Sequence, residues 1–118
     1  MKIMIVEDHA EMRRMLCSVV NGAAPGPVHI VECVDGEEAV RRYGTERPDL
    51  LLMDVQLGRM NGFAAAEAIM HLDHEAAVIF VTSHNTSAYR TKAKLMRARG
   101  FVSKDNLSEL ETLLHSTH

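Results

Sequence analysis

Pro48-Asp49-Leu50-Leu51-Leu52-Met53-Asp54 holds an unbroken apolar run that closes on a carboxylate. A strand with one wet face alternates apolar and polar side chains, whereas one covered on both faces reads as continuously apolar. Leu50 to Met53 shows no alternation, so it is expected inside a parallel sheet sandwiched between helices. Two runs of the same kind flank it in the chain: Ile3 to Val6 before Glu7-Asp8, and Val78 to Val81 before Thr82. Val28 to Val34, ending at Asp35-Gly36, and Phe101 to Ser103, ending at Lys104, complete a set of five strands.

Helical spacing fills the intervals. Met12, Met15, Leu16, Val19 and Val20 recur at i, i+3, i+4, i+7 and i+8, one face of a helix. The breaker cluster Asn21 to Pro27 follows as a loop. Glu37 to Tyr43 makes a short helix with Ala39, Val40 and Tyr43 inward, and Pro48 stops that region. A third helix is expected from Gly62 to His71, with Asn61 as N-cap and Phe63, Ala66, Ile69 and Met70 inward. Ala88, Thr91, Leu95 and Ala98 mark a fourth, closed by Gly100. Asn106 with Glu109 reads as the start of a fifth, carrying Leu107, Leu110, Leu113 and Leu114. The pattern is βαβαβαβαβα, an α/β doubly wound fold with helices on both faces, and residues 1–118 are expected to be a single domain without repeats or linkers.

Bulk properties narrow the setting. The chain has 118 residues, 47% hydrophobic and 25% charged, with 13 Lys+Arg against 16 Asp+Glu and a net charge of -3. A nucleic-acid-binding domain usually carries a basic excess, so direct nucleic-acid binding is not expected. No apolar run approaches the roughly 20 residues of a membrane span, and acidic Glu7 and Asp8 follow Lys2 too closely for a signal peptide. Cys17 and Cys33 sit among apolar residues, as reduced core thiols of a cytoplasmic protein do.

In such a sheet, ligands bind beyond the carboxyl ends of the strands. Those ends carry Glu7 and Asp8, Asp54, Thr82 and Lys104. Singly, each has an ordinary structural reading: Asp8 can cap the first helix, Thr82 a loop, and Lys104 can be a solvated edge charge. Together they form a coherent chemistry. Crowded carboxylates suit a hard cation, Mg²⁺ or Mn²⁺ in its place. An Asp beside that cation can attack phosphorus to give an acyl phosphate. Lys104 as a point charge and Thr82 as a hydroxyl donor suit the phosphoryl oxygens.

With these residues in place, the chain resembles the receiver domains of two-component response regulators along its whole length. The resemblance rests on Met4-Ile5-Val6-Glu7-Asp8, Asp35-Gly36-Glu37-Glu38-Ala39, the run ending at Asp54, Val81-Thr82-Ser83 and Gly100-Phe101-Val102-Ser103-Lys104. Gly62, eight residues past Asp54, stands where the family has the glycine that opens its third helix. The resemblance implies a flavodoxin-like strand order 2-1-3-4-5, with Asp54 as phosphoacceptor. It implies metal ligation by Glu7, Asp8, Asp54 and the backbone carbonyl of Gln56, and phosphoryl binding by Thr82 and Lys104. Thr82 and Phe101 would act as the switch, altering the surface of the fourth helix, fifth strand and fifth helix. Gln56, Ser83 and His84 would tune the phosphoryl lifetime from the rim. The implied partner is a sensor histidine kinase or phosphotransfer protein, with a homodimer through the switching surface as a further expectation. The only reactions catalysed would be the domain's own phosphorylation and dephosphorylation. Two positions depart from the family: Gly58 replaces a frequent proline four residues after the acceptor, and Asp105 replaces one after Lys104. Both leave the reacting groups intact.

Other readings of the same residues compete. A flavodoxin-type carrier needs a Ser-, Thr- or Gly-rich phosphate loop after the first strand, where Glu7-Asp8-His9 would repel phosphate. A dehalogenase-type phosphatase needs a second Asp two residues after the nucleophile, where Gln56 stands. A pseudo-receiver, binding partners without phosphorylation, remains the main alternative. Arg90, Lys94 and Arg97 fall on one helical face at i, i+4 and i+7, either a solvated face or a contact for an acidic partner or a dimer mate. His71 with His74, and His115 with His118, have i, i+3 spacing but no evident ligand shell, and are expected to be solvated.

Overall fold

The computed structural model describes residues 1–115. The chain alternates β1 (Lys2–Val6), α1 (Ala10–Ala23), β2 (His29–Cys33), α2 (Gly36–Glu46), β3 (Leu50–Asp54), α3 (Gly62–Leu72), β4 (Val78–Thr82), α4 (Ser87–Leu95), β5 (Gly100–Ser103) and α5 (Ser108–His115). All strand pairs are parallel and the order is β2-β1-β3-β4-β5, the flavodoxin-like arrangement.

The apolar runs explain the layers. Successive strand residues point to opposite faces, so Met4, Val6, Leu51, Met53, Val78 and Phe80 pack under α2, α3 and Ala93 of α4. Ile3, Ile5, Leu50, Leu52, Ile79 and Val81 pack against α1 and α5 on the other side. Each large buried side chain of this kind contributes about 1.5–3 kcal/mol. The edge strand β2 is the exception, with His29 and Glu32 exposed. The register sets Val6 beside Met53 and Asp54 beside Val81, so the chemically distinctive strand ends meet at one edge of the sheet. His118 and its pairing with His115 lie outside the described residues.

Local signals place the helices. Asn61 Oδ1 accepts the N–H groups of Phe63 and Ala64 at 2.7 and 3.3 Å, capping α3. Asp35 Oδ1 accepts the Glu38 N–H at 2.7 Å, so Asp35-Gly36 opens α2 rather than forming a plain turn. Gly62 approaches the end of β3 closely: its N–H donates to the Val55 carbonyl at 2.7 Å. A Cβ there would collide with the Asp54 carbonyl oxygen and lie 2.8 Å from Val55 Cα.

Three helix boundaries differ from expectation, the first being α2, which runs on past Tyr43 to Glu46. α4 ends at Leu95, not at Gly100. Arg97 adopts φ 62, while the Arg97 N–H bonds the Lys94 carbonyl and the Ala98 N–H the Ala93 carbonyl, both at 3.0 Å. This is a Schellman reversal with arginine at the usual glycine position, so Arg97 leaves the face shared by Arg90 and Lys94. Gly100 instead starts β5, where a side chain would press on Leu113. α5 starts at Ser108, because the Asn106 carbonyl takes the Glu109 N–H at 3.3 Å as a turn first.

An exposed non-glycine residue in the left-handed region is strained by about 1–2 kcal/mol. Arg97→Gly is therefore expected to raise stability by about 1 kcal/mol, read as a higher urea midpoint. Arg47, at φ 46, should gain less from the same change, since its guanidinium lies 5.9 Å over the Tyr43 ring. Equal midpoints for Arg97→Gly and the parent would contradict this account.

Candidate functional site

Three strand ends converge on one amine. Lys104, just past β5, places Nζ 2.7 Å from Glu7 Oε1 and 3.0 Å from Asp54 Oδ2. Glu7 is 0% exposed and Asp54 4%, because β1 and β3 lie inside the sheet and their last residues are still under the helices. The Gln56 N–H donates to Asp54 Oδ1 at 3.1 Å, so each Asp54 oxygen has a partner.

On the other side of Glu7, its Oε2 accepts the His9 N–H at 3.1 Å. The His9 ring brings Nδ1 to 3.1 Å from Asp8 Oδ1 and 3.4 Å from Glu7 Oε2. Asp8 is not the cap of α1; the N-cap position is His9, whose side chain caps nothing. Asp8 faces a cleft of about 520 Å³ lined by Val34, Asp35, Glu37, Gly58 and Arg59. Arg13, on the first turns of α1, donates Nη1 to the Glu7 carbonyl at 2.8 Å and places Nε 3.0 Å from Glu32 Oε1.

The electrostatics are unbalanced toward negative charge. Burial pushes the Glu7 carboxyl up from its ordinary value, against the opposing pull of Lys104 and the His9 N–H. For Lys104, burial opposes the charged form, but its close pairing with the Glu7 and Asp54 carboxylates overcomes it and holds the amine above its ordinary value. Glu7 and Asp54 thus share a single ammonium, and Asp8 adds a third carboxylate beside Glu7. Glu7 Oε1 takes no well-aligned hydrogen bond although Lys104 Nζ is near. Buried carboxylate oxygens in excess of their cationic partners suit a hard divalent cation such as Mg²⁺ or Mn²⁺.

The remaining residues named from sequence surround this centre. Thr82 is fully buried; its Oγ1 accepts the His84 N–H at 3.0 Å and its carbonyl accepts the Lys104 N–H at 2.9 Å. That backbone link fixes Thr82 and Lys104 relative to one another. Ser83 Oγ lies 3.3 Å from His84 Nδ1 on the exposed rim, and Gln56 Nε2 lies 3.4 Å from the Tyr89 hydroxyl. Phe101 is half-buried on the α4 side, with the Arg90 guanidinium carbon 5.4 Å over its ring. Lys92 Nζ pairs with Glu67 Oε1 at 3.2 Å, so the basic run is partly neutralised by α3. Sequence reasoning passed over Arg13 and Tyr89. Arg13 carried a signal, standing four residues after His9, one helical turn along the same face. Among the described residues, His71 and His74 join no group of metal-ligating side chains.

Residues 3–115 match the family described as the response regulator receiver domain. The chain is 33% identical over 103 residues to the chemotaxis protein CheY of Thermotoga maritima, covering 87% of this chain and 84% of that protein. It is 30% identical to the transcriptional regulatory protein YdfI of Bacillus subtilis, covering 98% of this chain but only 52% of that longer protein. Among solved structures, the N-terminal domain of a response regulator/sensory box/GGDEF 3-domain protein from Carboxydothermus hydrogenoformans superposes with a TM-score of 0.84 at 31% identity, covering 99% of this chain and 93% of that one.

Proposed function

The chain belongs to the receiver domains of response regulators, the signal-transduction family of two-component systems, and from that premise we propose that Asp54 accepts a phosphoryl group in a divalent-metal-dependent reaction. The observation that carries the reading is the Lys104 ammonium held between the Glu7 and Asp54 carboxylates at 2.7 and 3.0 Å.

Glu7, Asp8, Asp54 and the Gln56 carbonyl would hold Mg²⁺, or Mn²⁺ in its place, which when bound supplies charge neutralisation to the phosphoryl oxygens. An Asp54 carboxylate oxygen attacks phosphorus, a new O–P bond forms, and the bond to the donor's leaving group breaks with its electron pair. Lys104, already within 3.0 Å of Asp54 Oδ2, offers its charge to the transferred group. The Thr82 oxygen is engaged as an acceptor by the His84 N–H, which leaves its own hydroxyl proton free to donate to a phosphoryl oxygen. Both groups act by placement and charge, as phosphoryl transfer requires. The donor in this reading is a sensor histidine kinase or phosphotransfer protein, and the setting is cytoplasmic. Phe101 and Thr82 relay the state to the α4–β5–α5 surface, which controls an output or a homodimer. Gln56, Ser83 and His84 set the lifetime of the acyl phosphate from the rim. No helix among the described residues is long and apolar enough to cross a membrane.

The test is intact mass after incubation with Mg²⁺ and acetyl phosphate. The parent is expected to gain one phosphoryl group, Asp54→Asn none, and a chelator should abolish the gain. If the parent gains no mass from acetyl phosphate or from any of several kinases, the reading gives way to a binding module that works without phosphorylation.

A further inference from the structure

The phosphoacceptor reading leaves His9 without a role, yet its side chain is turned into the acidic cluster rather than away from it. As the residue at the N-cap position of α1 it makes no capping bond, and its side chain is 77% exposed. An exposed imidazole with no packing constraint is free to face solvent. This one instead places Nδ1 3.1 Å from Asp8 Oδ1 and 3.4 Å from Glu7 Oε2. One donor atom from each of Glu7, Asp8 and His9 lies within 4.8 Å of the other two.

The two separations from His9 Nδ1, 3.1 and 3.4 Å, are those of neighbouring donors on an octahedral ion. Neighbouring donors around an ion with bonds of about 2.1 Å stand about 3 Å apart, so His9 Nδ1 is already spaced from each carboxylate as a co-ligand would be. A second observation points the same way. Glu7 is wholly buried, and the one ammonium near it, Lys104 Nζ at 2.7 Å from Oε1, is shared with Asp54 at 3.0 Å, so the buried carboxylates outnumber their cation. Lys104 approaches Glu7 on the Oε1 side, leaving Oε2 turned toward Asp8 and His9.

We propose that His9 Nδ1 joins Glu7 and Asp8 as a further side-chain ligand to the divalent ion, and that it tilts this site from Mg²⁺ toward borderline ions such as Ni²⁺. The reason is donor chemistry. Carboxylate and carbonyl oxygens suit Mg²⁺, whereas imidazole nitrogen suits the later first-row metals. A site of oxygens alone has only the general affinity order to separate these ions; adding a nitrogen raises affinity for one class and contributes little to the other. The inference rests on the metal-dependent reading of the site, and it goes beyond that reading by naming a residue that selects the ion.

The experiment is calorimetric titration of the folded parent, His9→Ala and His9→Gln with MgCl₂ and with NiCl₂. Nickel is measured with and without saturating Mg²⁺, and only the fraction that Mg²⁺ displaces is counted. This sets aside nickel bound at exposed histidines elsewhere, such as His71 and His74. In both variants the ratio of Ni²⁺ to Mg²⁺ affinity should fall by about tenfold or more, while Mg²⁺ affinity stays within about twofold of the parent. Circular dichroism should show all three proteins equally folded, since the His9 side chain is exposed and caps nothing. An unchanged ratio, or equal losses for both ions, overturns the proposal while leaving the metal-dependent reading in place. A parent that binds no Mg²⁺ overturns both.

Discussion

Gly62→Ala is expected to lose about 3 kcal/mol of stability, seen as a much lower urea midpoint. The cause is a collision of main chain with the new side chain, which no rotamer change can relieve. The first residue of α3 lies against the end of β3, with its N–H on the Val55 carbonyl at 2.7 Å. A methyl group there meets the Asp54 carbonyl oxygen and carbon and Val55 Cα, all backbone atoms. Overpacking a well-filled site typically costs about 1–3 kcal/mol, and the upper end applies where the neighbours are fixed by a sheet. Gly58→Ala is the matched control, because nothing lies within 4 Å of its Cβ position; it should leave the midpoint near the parent's. If Gly62→Ala melts with the parent, the close approach is not a constraint. Any Gly62→Ala protein that does fold should have its β3–α3 loop displaced and the Asp54 carboxylate misplaced.

Lys104→Met should cost about 3 kcal/mol at pH 8 and much less at pH 5. Removing one partner of a buried pair leaves an uncompensated charge and costs about 3–5 kcal/mol; here two carboxylates lose their common cation. The folded value of the Lys104 amine lies above its unfolded one. Its contribution is therefore complete below about pH 10 and fades only as pH rises through the folded value, so the parent enjoys it across the neutral range. Glu7 behaves oppositely. Its folded value is raised above the ordinary 4.5, so the fold is favoured while it is protonated and loses stability as pH rises through the interval between the two. Deleting Lys104 removes the neighbouring ammonium that holds the Glu7 value down, which widens that interval upward. The gap between variant and parent should accordingly grow from pH 5 to pH 8, as read from paired urea titrations. An equal gap at both pH values would show that Lys104 acts by packing alone.

The sequence reveals some parts of this molecule and hides others, for physical reasons. β1, β3 and β4 are apolar throughout because helices cover both of their faces, and a run such as Leu50 to Met53 has no other ready interpretation. β2 has an open edge, and its ends were expected one residue too wide on either side, at Val28 and Val34. The close of α4 was hidden because arginine occupies the left-handed position that glycine usually marks, which drew the expected stop forward to Gly100. Strand ends can be located from composition, so Glu7, Asp54, Thr82 and Lys104 could be named before any coordinates. The pairing of one amine with two particular carboxylate oxygens could not, since it depends on register across three strands. Arg13 was missed as part of the cluster for the same reason: its partners are reached through space, around the turn that joins β1 to α1.

α4 is attached to the rest of the molecule very lightly. Ala93 is its sole buried residue, whereas all five residues of β3, Asp54 included, are buried. Beyond Ala93, hinging α4 away from the sheet uncovers chiefly the partly buried Tyr89 ring, which meets Phe63, while shifting Asp54 would disrupt the centre of the structure. The molecule is in effect a rigid chassis with one loosely bolted panel. A change at Asp54 as small as an added charge can be matched by moving that panel, and the strand that carries the charge need not yield at all.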